Sequence, residues 1–137
     1  MKPKEPRGPI FQDTNFVFKE FDGIKLEQLV VCEEPETNEP ITIYLKVENN
    51  NWHQYFLDAG LGFWQNWNEI DYDFDNYNYV DKTSSFGLFE KVIHKIWCEQ
   101  DKNNSQIIIE FESNDKLVLK TINPEKFDSE CELIKYI

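Results

Sequence analysis

Asp71, Asp73 and Asp75 stand at the alternate spacing with which a calcium-binding loop begins. Such a loop also needs glycine at its sixth position, for a sharp turn, and glutamate at its twelfth as a bidentate ligand. Counted from Asp71, those positions hold Asn76 and Lys82. A lysine puts a cation where the metal's strongest ligand belongs, so the spacing predicts no EF-hand and no metal site. Weak adventitious calcium binding is the most these carboxylates offer. His53 and His94, the two histidines, fall in no HxxE or HExxH pattern. His94 and Cys98 would share one face of a strand, about 13 Å apart along it, too far for proton transfer. GxSxG is absent. Gly60-Leu61-Gly62 is a single G-x-G without the rest of a dinucleotide fingerprint, and reads as relief of backbone crowding between bulky rings. No catalytic constellation emerges, no cofactor is implied, and the expectation is a protein that is not an enzyme.

Carboxylates and rings are what the middle of the chain does concentrate. Between Lys46 and Lys82 there is no lysine or arginine. The same stretch carries seven carboxylates, from Glu48 to Asp81, and ten aromatics, from Trp52 to Tyr79. Nothing inside it neutralises the acids, so any surface they share projects a negative potential. Roughly half the rings must be core, because a chain this small cannot expose ten large aromatics and stay soluble. The rest, with Trp64, Trp67, Tyr77 and Tyr79 as candidates, would supply contact area at low entropy cost. Glu69, Asp71, Asp73 and Asp75 would then meet lysine or arginine on a partner. These eight residues are the expected partner-binding set. A second reading uses exposed Trp and Tyr, edged by Asn66, Asn68, Asn76 and Asn78, to bind a carbohydrate or other small ligand.

Composition bounds the choice. A chain of 137 residues fits one domain, and 15% aromatic residues argue for a folded core despite a net charge of -12. That charge disfavours direct nucleic-acid binding, because phosphate contacts need lysine and arginine. It disfavours an anionic membrane surface for the same reason. A cationic partner is favoured. The opening MKPKEPRGPI has no apolar signal core, and no 18-residue apolar run is present. Cys32, Cys98 and Cys131 make no CxxC or zinc pattern. Reduced thiols and a cytoplasmic location are expected.

The elements that must position these residues read mostly as strands. Residues 1–13 carry three prolines and mixed charges and are expected to be a flexible lead-in, with one globular domain over 14–137. Ile41, Ile43, Leu45 and Val47 alternate with Thr42, Tyr44 and Lys46, which predicts a half-buried strand. Ile24–Glu33 is its expected antiparallel partner across a longer loop. Trp52–Asp58 reads as a short helix capped by Asn51 and stopped by Gly60, or equally as a strand. Ser84 or Ser85 is expected to cap a second short helix running into Lys91. Val92–Cys98, Gln106–Glu112, Leu117–Ile122 and Cys131–Ile137 follow as a meander with turns between them. The fold class expected is α+β: a mostly antiparallel β-sheet meander with one or two short helices.

With YFLDAGLGFWQNW and KVIHKIWCEQDKNNSQIIIEFESNDKLVLKTIN in view, the chain resembles the immunity proteins of bacterial polymorphic and contact-dependent growth-inhibition toxin systems. The likeness lies in a short, acidic, cytosolic single domain with an aromatic segment and a C-terminal meander. It implies an antitoxin that binds a cognate toxin domain, often a basic nuclease. The acids would stand where nucleic-acid phosphates would otherwise lie.

Overall fold

The computed structural model describes residues 7–13, 15–49, 52–58, 61–67, 77–101, 104–122 and 130–136. Residues 7–13, 58, 61, 66, 67, 101, 104, 122 and 130 are described by their backbone alone. The described chain forms β1 (Arg7–Asp13), β2 (Phe16–Phe18), β3 (Leu26–Glu33), β4 (Pro40–Val47), β5 (Trp52–Asp58) and β6 (Leu61–Trp67). It continues through β7 (Asn78–Asp81), β8 (Ile93–Asp101), β9 (Asn104–Phe111), β10 (Lys116–Ile122) and β11 (Glu130–Tyr136). A six-stranded sheet has the order β1-β6-β5-β4-β3-β7, and a five-stranded sheet the order β11-β10-β9-β8-β2. Both are antiparallel throughout. They pack face to face, β5 and β6 over β9 and β4 over β11.

The alternation of side chains decides which face meets the core. Ile43, Leu45 and Val47 of β4 point inward with Leu26, Leu29 and Val31 of β3. Tyr55 and Leu57 of β5 join them, and Ile96, Cys98, Ile107, Ile109, Leu117 and Leu119 answer from the other sheet. Among the described residues fourteen Phe, Tyr, Leu and Ile side chains of this core are under 2% exposed, each worth roughly 1.5–3 kcal/mol of burial. Residues 23–26 and 90–93 join the sheets at one end. Lys25 bridges Val92, Gly23 N–H donates to Ile93 O at 2.7 Å, and Ile93 N–H donates to Ile24 O at 2.9 Å.

This architecture corrects the expected α+β class: the described residues are all-β and contain no helix. Trp52–Asp58 is β5, paired on one side with β4 and on the other with β6. Its apolar residues come in runs because both faces of this sheet are covered, and a run has no helical period to read. The helix expected from Ser84 or Ser85 into Lys91 is a single turn. Leu88 N–H reaches back to Thr83 O at 2.8 Å and Gly87 N–H to Ser84 O at 3.0 Å. That pair of bonds is a helix-terminating motif, and Gly87 supplies its left-handed residue at φ 64°. The turn is stopped as soon as it is made.

Two proline and glycine positions show how the six-stranded sheet is fitted. Pro9 falls where the β1–β6 register shifts between Arg7 and Ile10. An edge strand tolerates a missing backbone donor there. Gly62 of β6 faces β8: an added Cβ would overlap Cys98 Sγ and lie 2.8 Å from the Phe16 ring. Gly62→Ala is therefore expected to cost about 1–3 kcal/mol through overpacking, read as a lower urea midpoint. An unchanged midpoint would mean that Cys98 moves aside without loss. Among the described residues no helix is long and apolar enough to cross a membrane.

Candidate functional site

The residues expected to bind a partner lie in different places. Trp64 of β6 packs against the core, its ring 4.3 Å from Phe16 and 6.4 Å from Phe18 between centroids. Tyr79 of β7 sits on the opposite face of the same sheet, 6.1 Å from the Tyr44 ring and against the cluster of Val30, Cys32 and Tyr44, on which Trp52 also packs. Tyr77 precedes β7 and is exposed. The Trp67 backbone pairs with Trp52 and Arg7. The sheet thus separates Trp64 from Tyr79. Glu69, Asp71, Asp73 and Asp75 lie outside the described residues, as do Asn68 and Asn76; Asn66 is described by backbone alone and Asn78 is exposed on β7.

The outer face of the six-stranded sheet is aromatic. Registers place Tyr79, Cys32, Thr42, Phe56 and Phe63 in one cross-strand row. Asp81, Val30, Tyr44, Gln54 and Gln65 form the next. Phe56 and Phe63 stack at 4.7 Å, and the buried Gln54 amide donates to Gln65 at 2.6 Å. At the β7 end, Asp81 accepts from the Thr83 hydroxyl at 2.6 Å and from Gln28 at 2.8 Å. Those bonds, Thr83's first, hold its carboxyl below the ordinary range against the opposing effect of burial.

A second feature assembles from turns far apart in sequence. Glu48 N–H donates to Lys25 O at 3.0 Å, Glu90 N–H to Leu26 O at 3.0 Å, and Glu112 N–H to Val92 O at 2.9 Å. Asp22 and Glu20 occupy the turn that closes on Gly23, one residue from the same junction. All five carboxylate residues are exposed. Among the described residues Glu20, Asp22, Glu90 and Glu112 form no ion pair, and Lys19, Lys25 and Lys91 are the cations on the same turns, Lys91 being paired with Asp115. Phe89, next to Glu90 on one of these turns, is 66% exposed. Leu88 on one side is fully buried, and Glu90 on the other holds a left-handed φ of 61°, a conformation costing a non-glycine residue roughly 1 kcal/mol. These two anchors present the ring to solvent.

Across the described residues, six lysines are held in ion pairs. Lys46 pairs with Glu27 at 3.5 Å, Lys82 with Glu33 at 3.4 Å and Lys120 with Glu132 at 3.3 Å. Lys116 pairs with Glu110 at 3.6 Å, while Lys91 and Lys135 share Asp115 at 2.9 and 3.2 Å. No local signal marks this end in the sequence, because its acids come from four separate turns and look like ordinary turn composition.

Among the described residues two buried polar groups have no partner: His53 Nδ1 and the Tyr55 hydroxyl. Both face the core, His53 packed on Phe21 at 4.6 Å and Phe18 at 5.2 Å. Burial lowers the His53 pKa to about 4 and raises that of Tyr55, which Glu20 raises further. Cys32, Cys98 and Cys131 are buried and in no disulfide. Among the described residues no three His, Cys, Asp or Glu side chains converge as metal ligands. No protein-family model, curated protein or solved structure matches the chain.

Proposed function

We propose that this protein works by binding a basic protein partner, as an immunity protein does with its toxin, in the cytoplasm of a bacterial cell. The observation that carries the reading is the acidic end, where the turns of Glu20, Asp22, Glu48, Glu90 and Glu112 meet and Phe89 is exposed. An exposed ring on an end rich in exposed carboxylates suits a partner that offers an apolar pocket rimmed by lysine or arginine. The net charge of -12 would speed such an encounter at low salt. A basic nuclease domain is the toxin class that fits this charge best.

Co-expression with the product of the neighbouring reading frame tests the reading. Cells should survive a toxin encoded there only when this protein is present. Phe89→Ala is expected to weaken the complex by about 2 kcal/mol, near thirtyfold. Glu90→Lys with Glu112→Lys should slow association by roughly tenfold and flatten its salt dependence. Full protection by a protein carrying all three changes would remove the acidic end from the mechanism.

A further inference from the structure

We propose that a hollow of about 490 Å³ on the outer face of the five-stranded sheet, between Trp97 and Tyr136, binds a neutral oligosaccharide. Trp97 is in register with Ile108, and Ile108 with Val118. Cross-strand partners share a face. Ile96, Ile107, Ile109, Leu117 and Leu119 alternate with them and fill the core, so this row faces away from it. Ile108 and Val118, 4% and 5% exposed, make the floor. Trp97 on β8 is half-buried, and Tyr136, opposite Lys116 on β11, is 44% exposed. Their strands are three spacings apart, about 14 Å. That is wider than one sugar ring, so each aromatic serves a separate unit of the ligand.

The lining identifies the ligand. The face of an aromatic ring is negative and attracts the C–H face of a pyranose. On Trp97 that face already draws Lys95 Nζ to 5.0 Å and Lys116 Nζ to 6.0 Å. The second is at the limit of a cation–π contact, so a sugar displaces it at little cost. A hydroxyl both donates and accepts, and the rim offers both kinds of group. Asn114 stands in the β9–β10 turn at φ 74°, its N–H donating to Phe111 O at 2.9 Å. Its side-chain amide meets no partner among the described residues. Glu99 accepts from Trp97 Nε1 at 3.3 Å and from Gln106 Nε2 at 2.7 Å. Those two bonds fix the indole and leave the Gln106 carbonyl oxygen as an acceptor. Lys116, paired with Glu110 at 3.6 Å, adds a charged donor. Among the described lining residues one glutamate and one lysine cancel, so no net charge selects an ion. An anion is further repelled by a chain of net charge -12. An apolar floor, two rings and a few convergent polar groups suit a ligand of hydroxyls and C–H faces. Phe89 does not line the hollow, and neither does any described aromatic between Trp52 and Tyr79. The site is therefore separate from the surface assigned to the protein partner.

Isothermal titration calorimetry of the full chain with cellohexaose, xylohexaose, mannohexaose and maltohexaose is the test. At least one is expected to bind with a dissociation constant below about 1 mM. Trp97→Ala and Tyr136→Ala should each weaken that binding about tenfold or more, with circular dichroism unchanged. Asn114→Gly keeps the turn, since glycine accepts a left-handed φ, and should weaken it about threefold through the lost amide. Should Trp97→Ala unfold the chain, the exposed Tyr136 and the turn position carry the test. Phe89→Ala should leave saccharide affinity as it is, which keeps this outcome separate from toxin binding. Failure of all four sugars to bind at millimolar concentration overturns the proposal. So does binding indifferent to Tyr136→Ala and Asn114→Gly, or a hollow that takes adenosine, a flat uncharged ring, and no saccharide.

Discussion

Replacing Asp115 by alanine lowers the unfolding free energy by about 3–5 kcal/mol, the range measured when one partner of a buried ion pair is removed. The carboxylate is 7% exposed and sits in the turn between β9 and β10. It accepts from Lys91 at 2.9 Å, from Lys135 at 3.2 Å and from the Ser113 hydroxyl. Lys91 comes from the loop that holds Phe89, and Lys135 from β11, whose ammonium also donates to Phe86 O at 2.5 Å. One side chain thus ties a hairpin, a loop and an edge strand together. Burial pushes its carboxyl up, but the hydrogen bonds from Lys91, Ser113 and Lys135 outweigh it and hold the group well below the carboxylate range. Alanine leaves two half-buried ammonium groups facing each other. Asp115→Asn keeps an acceptor and should lose less. Urea unfolding at neutral pH measures both, and a loss under about 1 kcal/mol for alanine would mean that the lysines simply turn to water.

The second large effect is a loss of stability in mild acid. His53 is 6% exposed and surrounded by Phe18, Phe21 and Tyr55. Burial holds it neutral, with a pKa of about 4 against an ordinary 6.5. Between those values the unfolded chain binds a proton that the folded chain refuses, so stability rises with pH there. It is complete above the unfolded value and declines by about 3 kcal/mol as pH falls from 6.5 to 4. Asp115 acts in the window below, since a depressed carboxyl loses its contribution as pH falls beneath about 3.9. Urea midpoints from pH 7 to pH 4 should show the decline, and His53→Phe should abolish most of it. Phenylalanine also removes the unpartnered Nδ1, so little cost at neutral pH is expected. An equally steep decline in that variant would place the titrating group elsewhere.

Legibility followed the pattern of burial. β4 was readable because its core-facing Ile43, Leu45 and Val47 alternate cleanly, and its antiparallel pairing with β3 across a turn-rich loop was readable with it. The meander of β8, β9, β10 and β11 was readable from short apolar runs separated by polar turns. β5 was ambiguous because His53, Tyr55 and Leu57 face the core while Gln54 is buried on the outer face. Burial on both sides erases the period that separates strand from helix. The turn at 83–88 has the composition of a helix start, and only the glycine at φ 64° shows how soon it ends.

Aromatic density in the middle of the chain was plain from the residues alone, but its division was not. Trp64 and Tyr79 are separated by the sheet because strand parity and pairing assign faces, and pairing is a long-range choice. The same holds for charge. Composition determined a surplus of carboxylates and hence the sign of the field a partner meets. Tertiary structure alone decided that Asp115 absorbs two lysines and that Glu20, Asp22, Glu48, Glu90 and Glu112 share the end of the sandwich where Phe89 is exposed. The physical reason is that turns at one end of a sandwich are neighbours in space through the strands between them, and residues up to ninety positions apart therefore share one surface.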